Sequence, residues 1–283
     1  MDGHEGSGAR VLERHHRGAR SEGGSMRRLL LSFAAALVAM VMVASPAGAI
    51  TGGQKDTQNL YPFVGLLAFY DDQGQYMHRC SGTLISPTVV LTAAHCTEGT
   101  ATAYAYFQVE VPDNFRENPT GLLGTTYTHP DYNPNTLDND VGVVVLEQAV
   151  HLSQYPVLAP EGFLSDLKAA HEIQDDTFVA VGYGLLDGWP PPNLQDNEDR
   201  WYSTSPYQGL TQQNLHLLQN PNATSDGGTC FGDSGGPHFW QDTLIIVSVT
   251  SWGDAICRAN DMTQRIDLVS VLDWLAEFGV TPA

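Results

Sequence analysis

The sequence predicts an all-β protein that closes with one C-terminal helix. Three observations carry this. Runs enriched in Val, Ile, Tyr, Phe and Thr recur at 63–70, 88–91, 105–111, 141–146, 177–181 and 244–251. Gly, Pro, Asn and Asp fill the stretches between them, which is the rhythm of strands and turns. Helical periodicity surfaces once, where Leu268, Val271, Leu272, Leu275 and Phe278 share a face and Gly279 follows as a stop.

Taken in order, the chain opens on polar residues 1–25, rich in Gly and Arg and without apolar periodicity. They read as a leader or as a misassigned start, with translation beginning at Met26. Met26-Arg27-Arg28 is basic, residues 29–43 are apolar except Ser32, and Ala47-Gly48-Ala49 is a small-x-small site. That order is a signal peptide over 26–49 and predicts a secreted, extracellular protein. The alternative, a membrane anchor, needs about 20 apolar residues, and this run is shorter and closely followed by Pro46. Cleavage after Ala49 leaves residues 50–283, enough for one large β domain or two small ones sharing a cleft.

Of the 13 basic and 32 acidic residues, six and four precede Ile50; the remaining 7 and 28 give a net charge of −21. A surface so acidic repels nucleic acid and anionic membranes, so neither is expected as a partner, and a soluble monomer is expected. Cys80, Cys96, Cys230 and Cys257 all follow the signal. An even count in an exported chain predicts disulfides, and counting alone leaves three pairings open. No paired CxxC and no HExxH occurs, so no metal site is expected.

Two stretches read as loops. Residues 187–199 (DGWPPPNLQDNED) hold three consecutive prolines, and residues 219–229 (QNPNATSDGGT) are rich in turn formers. Asn222-Ala223-Thr224 matches a glycosylation sequon.

Chemistry concentrates in three segments: Leu91-Thr92-Ala93-Ala94-His95-Cys96, Asp138-Asn139-Asp140-Val141-Gly142-Val143 and Gly232-Asp233-Ser234-Gly235-Gly236-Pro237. A serine hydroxyl becomes a nucleophile when a base takes its proton. An imidazole can do so near neutral pH, and a carboxylate behind it fixes its tautomer. Glycines around the serine allow backbone N–H groups to turn toward a developing oxyanion.

These segments resemble the motifs of the chymotrypsin/trypsin-type serine endopeptidases, and the order His, Asp, Ser matches that family. Thr128–Asn133 (THPDYN), Gly182-Tyr183-Gly184 and Ser251-Trp252-Gly253 extend the resemblance over essentially all of residues 50–283. It implies two antiparallel six-stranded β-barrels, at about 50–150 and about 160–283, with 147–164 crossing between them and the active site in the groove. It implies His95 as general base, Asp140 as its orienter with Asp138 as a rival, and Ser234 as nucleophile. Gly232 and Ser234 would supply the oxyanion-hole amides. Cys80 would pair with Cys96, and Cys230 with Cys257.

The resemblance also gives meaning to Ile50-Thr51-Gly52-Gly53, which is similar to the family's activated N-terminus. Its ammonium would pair with Asp233. Because Ile50 directly follows Ala49, signal removal itself would create that end; a short propeptide cut elsewhere is the alternative. For substrate binding, the resemblance points to Gly228 at the pocket base followed by Thr229, to Ser251, Trp252 and Gly253 as the strand that pairs with substrate backbone, with Gly253 leaving the pocket mouth open, and to Asp261 on the opposite wall or in solvent. Gly228 stands where trypsin-like members carry Asp, which argues against strict Lys/Arg specificity. The implied function is a secreted serine endopeptidase acting on proteins or peptides without a cofactor. The alternatives are a non-catalytic homologue that serves as a secreted binding module and an esterase using the same triad.

Overall fold

A computed structural model describes residues 50, 52–186, 198–220 and 226–282. The polar leader and signal peptide, Thr51, most of the proline-rich stretch and the sequon at Asn222 lie outside the described residues.

Fourteen strands, three short α-helices and two 3₁₀ turns make up the described chain. Strand β1 (Gln54–Lys55) comes first. Strands β2 (Val64–Tyr70), β3 (Tyr76–Leu84), β4 (Val89–Thr92), β5 (Thr102–Tyr106), β6 (Leu122–Thr128) and β7 (Gly142–Leu146) follow. They close into an antiparallel barrel in the order β2-β3-β4-β7-β6-β5. Every residue of β2 and β4 is buried, and Leu66, Leu67, Phe69, Leu91, Val143 and Val144 belong to one buried hydrophobic cluster, alternate residues facing the two sides of the barrel wall.

The second barrel uses β9 (Thr177–Gly182), β10 (Trp201–Leu210), β11 (Asn214–Leu218), β12 (Pro237–Trp240), β13 (Ile245–Gly253) and β14 (Asn260–Arg265). Its ring runs β9-β10-β11-β14-β13-β12 and returns to β9, all antiparallel. Two closed six-stranded barrels are therefore present. The crossing carries β8 (Val157–Leu158), which lies parallel to β13. Strand β1 pairs with β10, so the chain entry belongs to the second barrel's sheet before it builds the first barrel.

Helix α1 (Ala94–Thr97) follows β4, helix α2 (Phe163–Ala169) precedes β9, and helix α3 (Val269–Ala276) closes the chain. Helix α3 buries Val271, Leu272 and Leu275 of the expected face and also Trp274, while Leu268 and Phe278 flank it partly buried, and Gly279 follows at φ +75°. Trp274 tilts against His129 at 5.0 Å between ring centres, and His129 Nε2 lies 3.1 Å from the Ser270 carbonyl. The C-terminal helix thus clasps the segment of the first barrel that leads into Asp140.

One ion pair is sealed in the interior. Arg200 and Asp56 are both fully buried, with Nε 2.9 Å from Oδ2. Arg200 Nη1 also donates to the carbonyls of Val64 and Phe107, each at 3.0 Å, and to the Tyr183 hydroxyl at 3.2 Å; Nη2 donates to Asn59. A charge taken out of water needs such saturation, since its hydration is lost. The cluster joins the entry segment to both barrels.

Candidate active site

His95 sits in the first turn of α1, where β4 ends, and the Cys80–Cys96 disulfide (S–S 2.01 Å) ties that turn to β3. Asp140 precedes β7 and is fully buried. The carboxylate draws on both barrels. Oδ1 accepts the His95 backbone N–H at 2.8 Å, and Oδ2 lies 2.8 Å from His95 Nδ1. Oδ2 also accepts the Ser251 hydroxyl of β13 at 2.5 Å, and the Asp140 backbone N–H donates to Gln264 of β14 at 3.1 Å. A carboxylate facing Nδ1 places the proton there and leaves Nε2 as the acceptor. Asp138 instead accepts the Thr136 hydroxyl at 2.8 Å, so of the two acids in that segment Asp140 is the one that meets His95.

Ser234 lies on the tight turn before β12. Gly232 and Gly235 take φ +100° and +75° there, values open to glycine at little cost. Both barrels hold the turn. Ser81 N–H of β3 donates to the Ser234 carbonyl at 2.8 Å and Ser81 Oγ to the Gly232 carbonyl at 2.9 Å, while Gly235 N–H donates to Thr250 of β13 at 2.8 Å. Among the described residues, the N–H groups of Gly232 and Ser234 donate to no acceptor. Two unspent amides beside a hydroxyl are what an oxyanion would need.

Ser234 and His95 line one cavity of about 460 Å³ together with Thr229, Ser251, Trp252 and Gly253. His95 Nε2 does not bond the Ser234 hydroxyl in this conformation and lies 3.6 Å from Cys96 Sγ. Such bonds are commonly loose in empty sites and tighten around substrate. The sulfurs of Cys80 and Cys96 also stand close to the imidazole, but they are bonded to each other and offer a metal no thiolate.

Asp233 faces away from the cavity and is 1% exposed. Its Oδ1 accepts Gly184 N–H at 2.7 Å and Oδ2 accepts Cys230 N–H at 2.9 Å. A Cβ on Gly182 or Gly184 would overlap this carboxyl, so the Gly-Tyr-Gly turn exists to make room for it. Burial pushes the Asp233 carboxyl up to about 7, against the pull of the two amides and the Arg79 guanidinium. Ile50 is fully buried at φ +52° and accepts Gly53 N–H at 2.7 Å.

Two residues expected at the pocket do not line it. Asp261 is fully buried, is paired with His238 at 3.0 Å and is not among the residues that line the cavity. Gly228 is screened by Gln219, whose side chain fills the space a Cβ there would take. The Cys230–Cys257 disulfide (S–S 2.12 Å) bridges the pocket walls. Sequence reading assigned Ser251 to substrate and missed its bond to Asp140; it also passed over Ser81, Gln264 and Gln219. Only Gln219 left a trace, as a long polar side chain opening a stretch otherwise composed of turn formers.

The family model described as Trypsin matches residues 50–275. The chain is 28% identical to Tryptase of Mus musculus over 274 residues, covering 88% of this chain and 97% of that protein. It is 26% identical to "Trypsin, alkaline B" of Manduca sexta over 254 residues, covering 85% and 96%. Serine protease 1 of Drosophila melanogaster is 27% identical over 240 residues, covering 81% and 85%. Among solved structures, an HL collagenase superposes with a TM-score of 0.63 at 20% identity, covering 81% of this chain and 98% of that one; that likeness concerns the fold.

Proposed function

The chain belongs to the trypsin family of serine proteases, and on that premise we propose that it is a secreted endopeptidase working through an acyl-enzyme. Ser234 attacks the scissile carbonyl as His95 Nε2 takes its proton. Asp140 holds the imidazole in the acceptor tautomer and stabilises the imidazolium that forms. The Gly232 and Ser234 amides receive the oxyanion of the tetrahedral intermediate. Collapse expels the amine, which takes the proton from His95, and water then hydrolyses the ester by the same route in reverse order.

The observation that carries this reading is the pairing at Asp140. One buried carboxylate engages the backbone and ring of His95 with two oxygens, and the ring opens onto the cavity that Ser234 also lines. His238 is also paired with a carboxylate, Asp261, but it is fully buried and does not line that cavity; the opening toward Ser234 is what sets His95 apart. Export is supported by the signal-like sequence before Ile50 and by two disulfides. The family match begins at Ile50, which supports that residue as the processed N-terminus, with its ammonium pairing with Asp233.

The test is reaction of the secreted protein with a fluorophosphonate, together with turnover of peptide and ester substrates. Stoichiometric labelling at Ser234 and peptide cleavage, both lost in Ser234→Ala, are expected. An unlabelled folded protein would mean a binding module, and ester turnover without peptide cleavage would mean an esterase.

A further inference from the structure

The cavity beside Ser234 has two walls. Thr229 and Cys230 form one, and the run from Ser251 to Asp254 forms the other. Gln219 spans the gap between them. On one side, a Cβ on Gly228 would overlap its Cβ and its Oε1. On the other, its Nε2 donates to the Asn260 carbonyl at 3.0 Å and reaches Asp254 Oδ1 at 3.4 Å, and would lie 3.5 Å from a Cβ on Gly253. The side chain is 1% exposed and still belongs to the cavity lining.

Its orientation is forced. A backbone carbonyl and a carboxylate are both acceptors, so the amide must turn its NH₂ group toward them. The carbonyl oxygen is then left against Gly228, buried and without a partner. We propose that Gln219 is the specificity-determining residue of the primary pocket, a crossbar that limits its depth so that the cleft accepts a small or short aliphatic side chain before the scissile bond. This rests on the endopeptidase reading above.

One further observation favours short side chains. A long side chain can enter only by displacing the crossbar, which breaks both Nε2 bonds in a buried setting where unmade bonds are costly. A Lys or Arg side chain is disfavoured by its length, since it too must displace the crossbar to enter.

The processed protein is treated with peptidyl phosphonates that differ only in the side chain beside phosphorus: Ala, Val, Leu, Phe and Arg. Ala or Val is expected to react fastest, about tenfold or more ahead of Phe and Arg, the scale at which pocket size discriminates. In Gln219→Ala the Phe-to-Ala ratio of inactivation rates should rise about tenfold or more, and in the one-methylene-shorter Gln219→Asn it should rise part of the way. Fastest reaction of the unsubstituted protein with Phe, Leu or Arg overturns the crossbar without any variant. So does an unchanged ratio in a Gln219→Ala protein that still labels with a small fluorophosphonate. Absence of labelling by that small reagent in the unsubstituted protein instead removes the endopeptidase reading, and the crossbar with it.

Discussion

The Ser251 hydroxyl donates to Asp140 Oδ2 at 2.5 Å, the same oxygen that lies 2.8 Å from His95 Nδ1. One barrel therefore supplies the acid and the imidazole, and the other steadies the acid. Asp140→Asn should keep the fold and lose about 10⁴-fold in kcat, because the amide can present its NH₂ to Nδ1 and favour the wrong tautomer. Ser251→Ala should lose about ten- to a hundredfold, as expected for removing one hydrogen bond to a charged group. Steady-state kinetics decide, and equal losses in KM alone would contradict the assignment.

Gly184→Ala should damage the oxyanion turn from a distance. The new Cβ would overlap the Asp233 carboxyl, which is bonded to the Gly184 and Cys230 amides. Overpacking of this kind costs about 1–3 kcal/mol. Activity should fall by more than the population of folded protein does, because Asp233 adjoins Ser234. Denaturant titration alongside active-site labelling separates the two effects.

Uncut and processed chains should lose stability over different pH ranges. In the uncut chain the buried Asp233 carboxyl is raised from 3.8 to about 7. Between those values the folded form holds a proton that the unfolded form has lost, so stability falls as pH rises from about 4 to about 7, by on the order of 4 kcal/mol in all. A free Ile50 ammonium beside Asp233 would hold the carboxylate ionised and have its own pKa raised. Its contribution is full below the free-amine value near 8 and lost as pH rises through the raised one. Urea midpoints against pH, measured on a Ser234→Ala background with and without the Ala49–Ile50 bond, should show this exchange. Superimposable curves would refute it, as would a secreted N-terminus other than Ile50.

Breaking the buried ion pair should be severe. Arg200→Met leaves Asp56 charged and unmatched in the interior and should cost about 3–5 kcal/mol. Arg200→Met with Asp56→Leu should recover much of that, since no buried charge remains. Thermal unfolding of the three proteins reads the difference.

The fold class, the C-terminal helix and the motif-bearing residues could be read from the sequence because each rests on a local signal. Eight of the fourteen described strands could not. Strand β14 reads Asn-Asp-Met-Thr-Gln-Arg, yet Asp261, Thr263, Gln264 and Arg265 are buried. Their polar groups find partners from β11, β12 and the loops, as with Asp261 on His238 and Thr263 on Leu215. Such long-range pairing leaves no apolar alternation to detect. The run at 105–111 was placed too late, because β5 spans Thr102–Tyr106 and the chain leaves the sheet at Phe107. The contributions of Gln219 and Ser251 depend on walls far apart in sequence, so only their convergence in space reveals them.

The pairing of Gln54 with Tyr202, reinforced by Asp56 on Arg200, leaves a leash of only four residues ahead of it. At about 3.5 Å per residue a released end could stray roughly 14 Å. Its search for a binding partner inside the molecule would thus be confined to a small volume, with an effective concentration on the order of millimolar or above. Maturation would then need only a single cut and no wholesale refolding, and its rate would be set by the processing enzyme and not by the length of the journey.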